Sequence, residues 1–209
     1  MQRPLLLLAA LLLTAAVATA GQLVEGIVYL RDGTTVEFTG RDRIRLPRGR
    51  RGLKIVRNAF DKKTRTKETI PFERIDSIRS WAPYAPQHSR KFLPTASQGW
   101  MWVYFETPHL QACVYSKKGY DIDAKGGIRF RQRRRFLSRS RVAFYLRKRG
   151  DAEWFCAGPT DRNPTDAFRK RLARYAADDP ALADRIRRSS SIRGKTLRML
   201  QDYNPQKTR

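Results

Sequence analysis

Arginine recurs at every second position in Arg129, Arg131, Arg133 and Arg135. If Ile128 to Phe136 is a strand, its period of two puts all four on one face, about 6.6–7 Å apart. A stripe of that kind tracks the backbone of a polyanion, because a guanidinium donates two parallel hydrogen bonds to a phosphate or carboxylate. Ile128, Phe130 and Phe136 fall on the opposite face, which Gln132 and Arg134 interrupt. A second basic cluster begins with Arg41, Arg43 and Arg45 and continues through Arg48, Arg50, Arg51, Lys54 and Arg57. The stripe, with Arg41, Arg43 and Arg45, makes up the candidate polyanion-binding set. The competing reading is a solvated surface whose arginines pair locally with Asp and Glu.

Residues of catalytic type are few, and no catalytic residue is assigned. The chain has no Gly-x-Ser-x-Gly elbow, no phosphate-binding Gly-rich loop and no His-Glu-x-x-His. His109, after Pro108, is of the type that serves as a base, and Cys156 with a distant histidine is of the type that serves as a nucleophile. Asp121 and Asp123 flank Ile122 and would share a strand face, as acid/base or cation-binding carboxylates do. Lys117, Lys118 and Lys125 nearby favour a solvated turn instead. No metal or cofactor is expected. The two cysteines and two histidines do not form a four-ligand zinc set by themselves.

The elements that hold these residues belong to a chain of 209 residues with 44 Lys+Arg, 19 Asp+Glu and a formal net charge of +25. That length suits one domain, or a domain with a small appendage. Collagen-like, coiled-coil and polytopic membrane classes are excluded by composition. Residues 1–20 read as a signal peptide: Arg3 supplies the basic start, Leu5 to Leu13 the apolar core, and Ala18-Thr19-Ala20 the cleavage pattern, leaving Gly21 first. The apolar run is short for a bilayer span of about 20 residues, and no second one follows. The expected location is therefore the periplasm, the envelope surface or the medium, with no transmembrane span after cleavage. Export makes Cys113 and Cys156 a candidate disulfide, the alternative being two buried thiols.

Leu23–Leu30 and Thr35–Thr39 alternate apolar and polar residues around Asp32-Gly33, a tight-hairpin signal. Arg41–Gly52 reads as a basic connection. Strands follow at 53–60, 67–71, after Phe72 towards Trp81, and at 99–107, 110–116, 128–136, 142–148 and 153–157. Residues 82–99 read as a loop, because Pro83, Pro86 and Pro94 interrupt any regular element. Beyond Pro159 the period changes. Asn163-Pro164 reads as a helix start, with Phe168, Leu172, Tyr175 and Ala176 on one face. Asp179-Pro180 opens a second helix, and Ser191 to Tyr203 forms a third. The expected fold is α+β: a signal peptide over 1–20, a mainly antiparallel β body over 21–159, and a tail over 160–209 of two or three short helices packed on that body.

GIVYLRDGTTVEFTG, IPFERIDSIRSW and FRKRLARYAADDPALADRI, with a last helix ending at Tyr203-Asn204, together resemble a family of uncharacterised exported proteins of the Bacteroidota. The resemblance spans most of residues 21–209 and rests on loose structural motifs. Asp179 stands where many members carry Cys, so no catalytic cysteine transfers to that position. The resemblance implies an envelope or secreted location and a β-rich body with a helical tail, and implies no activity or cofactor. The combined expectation is a non-enzymatic binding or structural module. Its partner would be anionic envelope lipid or polysaccharide, or an envelope protein, with no role on intracellular nucleic acid. A hydrolase with a diffuse site is the alternative.

Overall fold

In a computed structural model the hairpin forms as its residues dictate. Strand β1 (Leu23–Leu30) turns at Asp32-Gly33 into β2 (Thr35–Phe38), pairing Gly26 with Phe38 and Tyr29 with Thr35. Gly33 takes φ 85°, a conformation that glycine adopts without a Cβ penalty, and the Asp32 carboxylate accepts the Thr34 N–H at 2.9 Å. The structure describes residues 23–131, 142–160 and 165–205. The described chain is mainly antiparallel β with three short helices at its end. The described residues divide into two compact units: 23–100 with 118–131, and 101–117 with 142–160 and 165–205.

In the first unit, β6 (Ile75–Ala82) follows a single 3-10 turn at Phe72–Arg74 and pairs with β1 and with β7 (Ala85–Thr95). The other edge of β1 is shared. β2 takes Gly26 to Tyr29, while β3 (Arg43–Arg45) takes Leu23 and Val24 and continues to β4 (Leu53–Arg57) and β5 (Thr66–Ile70). A small hairpin, β10 (Tyr120–Ile122) with β11 (Ile128–Phe130), completes the unit. Val24, Val28, Ile44, Ile55, Ile78 and Phe92 are at most 0–1% exposed and form its core. Gly26 has a packing role there: a Cβ on it would lie 2.5 Å from the Arg79 carbonyl oxygen and 2.6 Å from Ile44 Cδ1.

Two expectations need correction here. Residues 85–95 are a strand and not a loop. Pairing with β6 runs from Ile78–Phe92 to Ser80–Arg90 and resumes only at Ala82–Ala85. Pro86 sits in the irregular stretch and Pro94 lies beyond Phe92, so neither falls at a position paired with β6, while Phe92 and Leu93 are buried. The basic connection, too, contains a strand, because Ile44 at 0% exposure draws its neighbours into the sheet.

The second unit carries β8 (Gly99–Glu106) from Met101 onward, β9 (Leu110–Ser116), β12 (Val142–Lys148) and β13 (Phe155–Pro159), in the order β8-β9-β12-β13. Leu110, Ala112, Val114, Phe144 and Leu146 alternate to one buried face. Three helices belong to this unit: α1 (Asp166–Tyr175), α2 (Pro180–Arg188) and α3 (Arg193–Arg198), the last followed by a 3-10 turn at Met199–Asp202. The first helix is capped by Thr165, whose hydroxyl accepts the Phe168 N–H at 3.2 Å. This replaces the start expected at Asn163-Pro164, residues that lie outside the described ones. Asp179 caps α2 through Leu182 N–H at 3.1 Å, with Pro180 at the first position as expected. Leu172, Ile186, Leu197 and Leu200 are fully buried. The Phe155 and Tyr175 rings stack at 4.7 Å, and Arg193 donates to the Pro159 carbonyl at 2.9 Å, which joins the helices to the sheet of their own unit.

Candidate functional site

Arg45 ends β3 and Lys54 lies in β4, and between them Leu46 to Gly52 makes a loop. Leu46, Pro47 and Leu53 turn inward and are buried, which leaves Arg45, Arg48, Arg51 and Lys54 exposed. These residues line one cleft of about 210 Å³ in the first unit, with no carboxylate in its wall. Among the described residues none of the four cations has an acidic side chain within 4.0 Å. The paired register of β3 with β4 ends with Ile44 opposite Ile55. The like charges gathered beyond it repel one another, so this loop is held together by something other than its own charges.

Trp100 holds it. Its backbone N–H donates to the Gly49 carbonyl at 3.1 Å and its indole N–H to the Arg51 carbonyl at 2.9 Å. The Arg50 guanidinium donates to the Ser97 carbonyl across the same junction. The approach is close enough to demand glycine. Gly99 has φ 87°, and a Cβ on it would stand 2.1 Å from the Gly49 oxygen. Trp100 is 1% exposed, with its ring edge-on to Phe72 at 5.4 Å. The cations therefore project from a backbone fixed at two points.

Other members of the candidate set are placed differently. Arg43 is 6% exposed. It pairs with Glu25 at 3.3 Å, donates to the carbonyls of Gly40 and Asp42 at 2.6 and 2.7 Å, and lies over the Phe60 ring. It is a buried structural cation, which corrects its assignment to a polyanion surface. Arg57 is likewise engaged, with Asp42 at 2.6 Å and Glu68 at 2.9 Å, and the Arg57 hydrogen bond leads the causes that hold the Asp42 carboxyl below its usual range. Arg41 is exposed but does not line the cleft. Of the alternating stripe, Arg129 is exposed opposite Asp121, and Arg131 reaches the same Asp121 at 3.9 Å. The strand they share ends at Phe130 among the described residues; Arg133 and Arg135 lie outside them.

The residues of catalytic type are not brought together. The Asp121 carboxylate accepts its neighbour's Ile122 N–H, whereas Asp123 accepts the Gly127 and Lys125 N–H groups at 2.9 Å each. The Gly127 bond leads the causes that lower the Asp123 carboxyl. Both close turns. The His109 carbonyl accepts the N–H of Arg149, just past the end of β12, and Cys156 faces Tyr145, four residues back, about 13 Å along the strand. The candidate Cys113–Cys156 disulfide is not formed. Tyr145 pairs with Cys113 on one side and Cys156 on the other, so a whole strand separates the cysteines. Two strand spacings are about 9.6 Å, beyond the Cα distance of about 4.4–6.8 Å that a bridge spans. Both are thiols, Cys113 buried and Cys156 exposed. Burial, followed by the Cys156 neighbour, pushes the Tyr145 phenol up to about 12.

The second unit has a larger hollow, about 520 Å³, between the Glu106–Gln111 and Arg147–Asp151 segments. Its cations are committed. Arg147 donates to Gln111 at 2.7 Å and covers the Trp154 ring, while Lys148 meets both Asp178 oxygens at 2.8 Å and lies over the Tyr175 and Tyr203 rings. Tyr203 donates to Asp178 as well. Burial alone would raise the Asp178 carboxyl, but the Lys148 and Tyr203 hydrogen bonds outweigh it and hold it low. Burial and Asp178 together raise the Tyr203 phenol.

The sequence points to the cleft cations as part of a cluster but does not single them out from Arg43 and Arg57. Pro47, Gly49 and Gly52 are the local signal of a shaped loop; for the Trp100 clamp there is none, since its partners lie 49 to 51 residues away. Among the described residues no group of three His, Cys, Asp or Glu is placed to hold a metal, and no helix is long and apolar enough to cross a membrane. In comparisons of the chain with protein-family models, curated proteins and solved structures, nothing matches.

Proposed function

We propose that this is an exported protein of the periplasm, envelope surface or medium, and a non-enzymatic binding or structural module whose basic surface holds anionic envelope lipid or polysaccharide. The observation that carries the reading is the cleft of Arg45, Arg48, Arg51 and Lys54, four exposed cations with no acidic partner among the described residues. The signal-peptide pattern of residues 1–20 and the resemblance to exported proteins support the compartment. The net charge of +25 supports a polyanionic partner. Contact through several cations makes binding steeply salt dependent, because exposed charges are screened over about 8 Å at physiological ionic strength. The test is co-sedimentation of the purified protein with anionic vesicles and with an acidic polysaccharide across a salt series. Retention at low salt that falls as salt rises is expected. No retention on either material at low salt overturns the reading.

A further inference from the structure

We infer that the Arg45–Lys54 cleft is a site for a phosphomonoester-type dianion, a proposal that rests on the basic-surface reading above and names the group it recognises. Three observations lead to that class. The first is charge. Four cations face one hollow of about 210 Å³ with no carboxylate among its lining residues. A carboxylate or a phosphodiester brings one negative charge, whereas a phosphomonoester brings about 1.5 to 2 at neutral pH and three terminal acceptor oxygens. The second is geometry. One guanidinium fork already satisfies a planar carboxylate. Arg45, Arg48 and Arg51 offer three forks from one strand end and the loop that follows it, a set that suits acceptor oxygens pointing in several directions.

The third observation is preorganisation. Leu46 and Leu53, at 9% and 1% exposure, give the cleft an apolar floor, where hydrogen bonds to charge are stronger than in bulk water. Mutual repulsion of Arg48, Arg51 and their neighbours would spread a free loop. Trp100 prevents this by its two hydrogen bonds to Gly49 and Arg51, so the cations are gathered before a ligand arrives. The dianion neutralises a repulsion that the fold already bears. The same oxyanion chemistry occurs in a lipid headgroup, on a phosphorylated envelope polymer and in free phosphate.

The experiment uses the purified protein, its Arg48→Gln/Arg51→Gln variant, and a control pair of exposed cations in the second unit, Arg171→Gln/Arg174→Gln. Inorganic phosphate and acetate are titrated at constant ionic strength and followed by calorimetry. Retention is then measured on phosphatidylcholine vesicles doped with phosphatidate, a monoester, or with phosphatidylglycerol, a diester, at matched surface charge. The wild type is expected to bind phosphate at least tenfold more tightly than acetate. The cleft variant should lose that binding at least tenfold, and the control should change less than twofold. Preference for phosphatidate vesicles supports a lipid-borne monoester; phosphate binding with equal retention on both vesicles supports a monoester carried otherwise. Equal affinity for phosphate and acetate overturns the site. So does equal loss from cleft and control variants, which leaves the basic-surface reading standing. Failure of the wild type on every anionic vesicle at low salt overturns that reading itself. Should the double variant not fold, Arg48→Lys/Arg51→Lys retains the charge without the forks. It is expected to stay on vesicles but lose the preference for phosphate, and retention of that preference overturns the proposal.

Discussion

The two units use positive charge in opposite ways. In the second, several cations are matched to acceptors: Lys148 to Asp178, Arg185 to Asp202 at 2.8 Å, Arg187 to Asp184, and Arg193 to a backbone carbonyl. In the first, Arg43 and Arg57 are matched as well, but Arg45, Arg48, Arg51 and Lys54 are collected around one cleft and have no acid within reach among the described residues. An overall excess of arginine describes both units and discriminates neither. The discriminating feature is whether a carboxylate stands within reach, and that depends on which strands are neighbours.

The comparison can be broken most severely through the packing that positions the second unit's charges. Leu172 is fully buried in α1. Leu172→Asp places an unpaired charge there and is expected to cost about 4–5 kcal/mol or more, read as loss of the thermal unfolding transition. A variant that melts like wild type would show that this helix face is not packed.

Next in size is a contrast between two arginines five positions apart. Arg43→Gln removes the counter-ion of the half-buried Glu25, leaving its carboxylate only the Trp81 indole N–H at 3.1 Å, and is expected to cost about 3 kcal/mol, while vesicle retention of the folded fraction is unchanged. Arg48→Gln is expected to alter stability by less than about 0.5 kcal/mol yet weaken retention. Chemical denaturation and co-sedimentation of both variants check the pair. The reverse outcome would exchange the roles assigned to them.

A smaller effect lies in the pH dependence of the Lys148–Asp178–Tyr203 cluster. The folded Asp178 carboxyl is lowered, so its contribution is present above its unfolded value of about 3.9 and is lost as pH falls through the folded value. The folded Tyr203 phenol is raised, so its contribution is present below about 10 and is lost as pH rises through the folded value. The contribution of Asp178 is expected to be under about 1 kcal/mol, because its side chain is 44% exposed. Asp178→Asn should flatten the acid limb of a plot of melting temperature against pH, and an unchanged limb would assign that dependence to other carboxylates.

The smallest expected effect is that of reductant. With β12 between the cysteines, dithiothreitol should leave the melting temperature unchanged, where loss of a native disulfide typically costs about 2–5 kcal/mol. Iodoacetamide should label Cys156 in the folded protein and Cys113 only after unfolding. A reductant-sensitive transition would require a different strand order.

What the sequence determined by itself is what neighbouring residues decide among themselves. Asp32-Gly33 turns the first hairpin because glycine accepts a positive φ; alternation along 23–30 sets an inner and an outer face; Asp179-Pro180 starts a helix through a side-chain cap and a preset φ. The α+β order of strands before helices follows from the change of hydrophobic period near residue 160. Only the tertiary structure decided the rest, because the deciding partners are distant in the chain. Pro86 and Pro94 read as breaks until the register with β6 passes them by. Arg43 looks like its neighbours until Glu25, eighteen residues earlier, claims it. The cysteines look bridgeable until Tyr145 takes the place between them. The basic loop becomes a fixed cleft only where Trp100 reaches Gly49 and Arg51. Pattern reports which residues share a face, whereas strand order determines which charges meet, and the candidate function depends on the second.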